Sequence, residues 1–581
     1  MGFKGIDEKS SPTAIADGRA VEAQNVQFTL TGGLSKRDGY SLEVMLDTNR
    51  TGDDLEVVTG LWELYKSTGT RVNLAVNGDR IYSWSTGTKT DITSSEVIAS
   101  GITVDNQYVW TTALDYAIGT NEVDPPFKSN GTTTSILALN FSDGKDFTAK
   151  CVAWWKNYLI FGNTVENSTH RATRIRWSNV GYIETWSDDD YLDIDALGGQ
   201  EIEGFGLLHD NFYIFLTDSV YKVSYVGGDE IIVASKVSEG TGCIAKNSIQ
   251  NITLPTGQSG LVFLSKDKTI NFTDGINLTN IALLIDDTMD GLNASRLQYA
   301  VSAEDGSDYY LAVTDGAVGT NNLLLDFNFD IGEWSTHTQI DANAMAKIVD
   351  SSGNIQIYSG NYDSFIYKLF DTALTNDVAG QTGTFEAVSI YDTKTASSLQ
   401  VIYDDEANFT CTGATVRIIS GTGLAEEKVI VAVTSAVIPT GIVVDSAFTT
   451  TPDTTSIYSI GDIDADYITK WYDLGEPARR KQFGELYLWA DEAGNMAIDI
   501  SYAQDFSGYI DTQSVSLKGA GDLWGVGIWG TAKWGGQEAL FKIVKLKGSG
   551  RYIRLKISED DLNETFDLFS YNFLYWTGDI Q

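Results

Sequence analysis

The sequence is 581 residues long, several times what one hydrophobic core fills, so two to four domains are expected. Hydrophobic residues make up 42% of it and aromatics 11%, ample for large cores and too much for a disordered polymer. The 40 Lys and Arg against 79 Asp and Glu give a formal net charge of -39, which argues against affinity for phosphate backbones, because that affinity comes from cations.

The start, MGFKGIDEKSSPT, has no apolar signal region, and no later run approaches the roughly 18 apolar residues of a membrane span. A cytoplasmically made chain that is not exported by this route is expected. Residues 1–54 read as an N-terminal extended or docking segment. Cys151, Cys243 and Cys411 are too far apart for a disulfide scaffold or a zinc site and read as core thiols.

From 55 to 372 one texture repeats: runs of four to eight β-branched and aromatic residues, broken by Gly, Asn, Asp and Ser. Examples are RVNLAVNGDRIYSWS, CVAWWKNYLIFGN and GFGLLHDNFYIFLTDSVYKVSYV. The strand-turn-strand units recur at roughly 40 to 50 residues, the spacing of β-propeller blades, and six to eight blades are expected. Asn77-Gly78 and Asp274-Gly275 supply the positive φ angles of tight hairpins. Stacked sandwiches are the rival all-β arrangement. Helical periodicity is confined to about Asp287–Leu297.

After Phe370 the polar TALTNDVAGQTG reads as a linker. Residues 384–465 carry short strands (SLQVIYD, ATVRIISG, EKVIVAVTSAVI, GIVVDS) and read as a small inserted β domain. From 468 to 581 alternation returns and predicts a C-terminal β-sandwich. Phe483, Tyr487 and Trp489 are expected on one face of KQFGELYLWA, and Met496, Ile498, Ile500 and Tyr502 on one face of NMAIDISY. FDLFSYNFLYW is apolar on both faces, as suits a central or covered strand.

Three stretches resemble the tail-nozzle proteins of short-tailed bacteriophages, a family variously called tail tubular protein B or packaged-DNA stabilisation protein. They are AVEAQNVQFTLTGGLSKRDGY (Ala20–Tyr40), RIRWSNVGYIETWS (Arg174–Ser187) and ITKWYDLGEPARRKQFGELYLW (Ile468–Trp489). The likeness is one of texture and domain order over most of the chain. It implies a structural virion protein in a homo-hexameric ring below the portal and its adaptor, with tail fibre or spike proteins as further partners. Such a ring extends the DNA-ejection channel and closes it until ejection. DNA would pass without specific binding, no membrane would be engaged in the particle, and assembly would take place in the host cytoplasm. The 384–465 segment resembles a module of various phage tail proteins and has no counterpart in the simplest nozzles.

Interface candidates come from two places. LWGVGIWGTAKWGG sets Trp524, Trp529 and Trp534 five apart, each before a Gly, a spacing that fits neither helix nor strand. It reads as a structured loop with its indoles on the sandwich, as a subunit contact, or as a membrane or glycan contact. Arg479, Arg480 and Lys481 in ARRK, with the basic KIVKLKGSGRYIRLK, read as a solvated face or as a docking site for an acidic neighbour.

The acidic runs TWSDDDYLDIDALGG (Asp188, Asp189, Asp190, Asp193, Asp195) and DIDAD (Asp462, Asp464, Asp466) read as solvated loop acid. The second has the Asp spacing of a calcium loop, but Tyr467 stands where a Gly is obligatory. His170, His209 and His337 lie in separate contexts, without HExxH, GxSxG or GxxxxGK[ST]. FDIGEWS (Phe329–Ser335) is similar to part of the sialidase Asp-box turn, without the full pattern. No enzyme activity, cofactor or metal is expected. A receptor- or glycan-binding phage tail protein is the alternative reading, because propeller loops and aromatic residues suit sugars.

Overall fold

The structure is a computed structural model that describes residues 1–46, 56–94, 105–141, 144, 146–196, 198–227, 232–350, 352–378, 381–384, 387–390, 400–403, 414–434, 441–446, 448–492, 496–518 and 540–577. It divides into two compact units, one of residues 42–332 and 340–369, the other of 1–41, 333–339 and 370–581.

The first unit is a β-propeller of seven sheets among the described residues. Their first strands are Val58–Tyr65, Val109–Ala113, Phe147–Trp155, Ile202–Leu208, Gln250–Thr253, Val301–Glu304 and Ala344–Val349. Each of these touches the next, and the seventh touches the first, so the ring closes with these strands innermost. In the seventh sheet, Ala344–Val349, Ile355–Gly360 and Phe365–Asp371 are joined by a fourth strand, Gly39–Met45, from the other end of the sequence.

Large aromatics fill the wedges between blades. Trp84 meets Tyr358 at 5.4 Å between blades 1 and 7, Phe161 stacks on Trp186 at 5.4 Å within blade 3, and Trp155 stacks on Phe212 at 5.6 Å between blades 3 and 4. Each fully buried ring contributes about 2 kcal/mol through burial, and such pairs add about 1 kcal/mol. Gly162 permits one close approach, since a Cβ there would lie 2.4 Å from the Phe205 ring.

Tight hairpins form with and without glycine. Gly78 has φ +53°, but it is the first residue of a Gly78-Asp79 loop, one position later than the expected Asn77-Gly78. Leu114-Asp115 (φ 50° and 64°), Lys156-Asn157 (51° and 64°) and His209-Asp210 (48° and 66°) make two-residue turns with no glycine at all.

The second unit is built on two sheets. One runs Glu333–His337, Ala20–Gln24, Ala465–Thr469, Ile553–Glu559, Ala497–Gln504, Tyr509–Ser516, with the first pair parallel. The other runs Val26–Phe28, Leu34–Lys36, Asp567–Thr577, Lys481–Ala490, Leu540–Lys545. They face each other across Phe3, Phe28, Tyr467 and Tyr571, where Phe3 lies 5.3 Å from Tyr467 and 5.2 Å from Tyr571. Residues 1–46, the described part of the expected N-terminal extended or docking segment 1–54, are therefore built into the fold. Their short strands join both sheets, and Gly39–Met45 completes a blade.

A further sheet of seven strands, from Gln381–Thr384 to Ile457–Ile460, encloses Val416, Ile418, Ile430, Ile442 and Tyr458. Arg37 and Asp377, both buried, form a two-pronged ion pair at 2.8 and 2.6 Å in the same unit.

Phe483, Tyr487 and Trp489 do not share a face. A bulge between Phe483 and Glu485 switches the alternation, so Phe483, Leu486 and Leu488 point into the core while Tyr487 and Trp489 stay half-buried on the open side. Ile498, Ile500 and Tyr502 are buried together.

Candidate functional site

The innermost strands of the propeller surround a cavity of about 350 Å³ lined by residues of all seven blades. Its wall is aromatic and aliphatic, with Trp62, Tyr108, Trp110, Phe205 and Leu261 prominent. Glycines let the blades pack closely around it: a Cβ on Gly60 would lie 2.9 Å from Trp110 Nε1, one on Gly204 2.5 Å from Ile249, and one on Gly206 2.7 Å from Leu261.

Three of the lining residues carry a donor that has no partner among the described residues. Thr59 Oγ and Trp110 Nε1 are buried, the residues 2% and 8% exposed, and neither makes a hydrogen bond among the described residues. Lys246, just before the inner strand of blade 5, is the third, and no hydrogen bond or ion pair neutralises its ammonium among the described residues. Burial pulls its pKa down to about 8; Glu122 and Glu203 oppose that shift, while Lys150 and its like charge reinforce it. Lys150 itself pairs with Glu203 at 2.6 Å. Although burial pulls the other way, Glu203 and Glu122 hold Lys150 in its charged form. Lys150 and Glu203, close to Lys246 but not among the lining residues, are thus committed to each other, while Lys246 has no ion-pair partner among the described residues.

The residues singled out from sequence fall elsewhere. Trp524, Trp529 and Trp534 lie outside the described residues, as does Cys411. Arg479 is half-buried in a loop, 3.8 Å from Glu476, and Arg480 is exposed with its guanidinium on Ser549 Oγ and O at 3.1 and 3.0 Å. Lys481 is not available for docking: it is 0% exposed and donates to the carbonyls of Glu476, Arg479 and Arg551 at 2.7, 3.2 and 2.8 Å. Strand alternation turns it inward beside the exposed Arg480 and Gln482.

The DIDAD run is not solvated loop acid either. Asp462 and Asp464 pair with Arg417, and Asp466 pairs with Lys556 at 2.7 Å, with Asp462 and Asp466 themselves buried. In the other run, Asp193 pairs with Arg174 at 2.7 Å on the outer strand of blade 3, while burial, and then Asp189, raise the pKa of Asp190. Glu559, Asp561 and Glu564 bring carboxylate oxygens within 4.8 Å of one another, but the buried Lys36 ammonium already bonds to Glu559 and supplies the positive charge. His170 bonds to Asn163 at 2.6 Å, His209 sits in a hairpin turn, and His337 is buried in the second unit, where burial holds its pKa well below the usual range.

No family model matches the sequence, and no curated protein is similar to it. Solved structures similar to the chain include YCF48 bound to D1 peptide, at 9% identity and a TM-score of 0.32, covering 61% of this chain and all of the other. The Pan2 WD40 domain of Neurospora crassa is similar at 6% identity and a TM-score of 0.34, covering 59% of this chain and 98% of the other. The protein is all-β, and its fold is that of the β-propellers, with a second β unit.

Proposed function

We propose that this chain is a structural, non-enzymatic virion protein: a nozzle ring of a short phage tail that extends and closes the DNA-ejection channel below the portal and adaptor. The observation that carries this reading is an apolar face on the second unit that is exposed among the described residues. Phe541 lies 5.3 Å from Tyr487 and 5.2 Å from Trp489, with Ile543 beside Tyr487 across the ladder. Phe541 and Ile543 are 49% and 51% exposed, and their strand, Leu540–Lys545, ends its sheet among the described residues. An open aromatic face at a sheet edge is an assembly surface, and the occupant proposed here is a second copy of the chain. The net charge of -39 supports passage of DNA without adhesion.

Native mass spectrometry, on the chain alone and with a portal–adaptor complex, tests the reading. Six copies per complex are expected, and Phe541→Ser with Ile543→Ser should reduce them to single chains. Single chains of the unaltered protein in both conditions would overturn it. The aromatic cavity favours the second reading, a receptor- or glycan-binding tail protein, and trimers that bind host polysaccharide would establish that instead.

A further inference from the structure

On the rim of the propeller, the outermost strands of blades 3 and 4, Trp186–Asp193 and Ile232–Glu239, bound a groove of about 470 Å³. Its floor is the outer end of the core between the two blades, where Trp177, Leu192, Tyr221 and Ala234 meet. The banks are apolar too: Tyr191 on one and Val233 on the other are 40% and 38% exposed. Each bounding strand ends its sheet among the described residues, so each has a hydrogen-bonding edge open beside the groove.

The blade 3 bank is also acidic. Asp189, Asp190, Asp193 and Asp195 line it, and of these only Asp193 has an ion-pair partner, Arg174, among the described residues. Alternation puts Asp190 on the same face as Leu192, which pairs with the buried Ile175 in the core between the blades. Asp195 stands at the far end, where its carbonyl accepts from the Tyr221 hydroxyl of blade 4 at 3.1 Å. Along an extended chain the step from Asp190 to Asp195 spans up to roughly 15 Å.

We propose that this groove docks an extended segment of a partner protein that carries a basic residue at each end of a short apolar stretch. Its cations meet Asp190 and Asp195, its apolar side chain covers Leu192 and Ala234, and its backbone pairs with an open strand edge. A second copy of the chain does not supply it, because the basic strands Leu540–Lys545 and Ile553–Glu559 are held in sheets. An acidic segment is repelled by the same carboxylates.

The probe is acetyl-RTVTR-amide, whose arginines and valine share one face when extended. It is compared with acetyl-QTVTQ-amide and acetyl-ETVTE-amide by saturation-transfer and transferred-NOE NMR on the full chain. The arginine peptide should bind with the sequential NOEs of an extended backbone, and the glutamate peptide should not bind. The glutamine peptide should bind at least about fivefold more weakly, the loss of two charge contacts. Asp190→Asn with Asp195→Asn should weaken the arginine peptide by a similar factor. Asp287→Asn with Asp290→Asn, which removes the same charge from the exposed side of the helix Asp286–Gly291, should leave it unchanged. Val233→Ser should weaken the arginine and glutamine peptides alike, by about threefold.

If the groove double variant does not fold, Asp195→Asn alone, at an exposed position, and Val233→Ser carry the comparison. Equal loss in the two double variants would show attraction to an acidic surface only and overturn the proposal. So would a helical bound peptide, or absence of transfer at about 1 mM, where a Kd near that value is detected.

Discussion

Replacing Asp308 by asparagine should stabilise the propeller at neutral and alkaline pH and flatten its pH dependence. Asp308 opens the second strand of blade 6, where Ser307 Oγ bonds to it at 2.6 Å and the buried Asp326 stands close by. Burial, and then the Asp326 charge, push its pKa from 3.8 up to about 8. A folded pKa above the unfolded one means that this group's contribution is most favourable below the unfolded value and is lost as pH rises towards 8. At about 1.4 kcal/mol per unit, holding the proton at pH 7 costs up to about 4 kcal/mol; relaxation and partial solvation bring the expected effect nearer 2 kcal/mol. Asparagine keeps the shape and can donate to Asp326 without titrating. Urea unfolding of both proteins at pH 5 and pH 8 measures the difference. The unaltered protein should lose stability between these pH values, and Asp308→Asn should lose less of it. Equal pH slopes, or a variant less stable at pH 8, would refute the reasoning.

Arg37→Ala leaves the Asp377 carboxylate buried without its partner and should cost the second unit about 3–5 kcal/mol in urea unfolding, with much of the loss recovered in Arg37→Met combined with Asp377→Leu. Lys481→Met strands three backbone carbonyls and should cost about 1–3 kcal/mol. Arg480→Ala, two exposed contacts away, should change stability by no more than about 0.5 kcal/mol in the same assay.

The strand texture of the propeller was legible because buried strands such as FTAKCVAWW and NFYIFL are rich in β-branched and aromatic residues. The number of blades was not. Outer strands such as TKTD (Thr88–Asp91) and WSDDDYLD (Trp186–Asp193) are mostly polar, because they meet solvent, and several hairpins turn on Leu114-Asp115 or Lys156-Asn157, where no glycine marks them. The N-terminal strands Ala20–Gln24 and Leu34–Lys36 are short, and each has a partner strand hundreds of residues away, Ala465–Thr469 and Asp567–Thr577, beyond the reach of local pattern. The inward face of Lys481 and the mixed faces around Phe483 depend on register and a bulge. Lys246 has no signature at all. It is a single lysine in GCIAKNSIQ, and only the convergence of seven strands gives it a site.

Closure of blade 7 by Gly39–Met45 has a consequence for synthesis. The earliest-made strand of the propeller pairs with its last-made one, Phe365–Asp371, in a sheet that cannot form until both exist. At roughly 5–20 residues per second, the waiting time is on the order of tens of seconds. During that interval Gly39–Met45 has an open hydrogen-bonding edge and the nascent ring has an open seam, while completed blades already offer sticky partners. Ribosome pausing or chaperone capture early in translation would therefore control the yield of native protein more than any step after release.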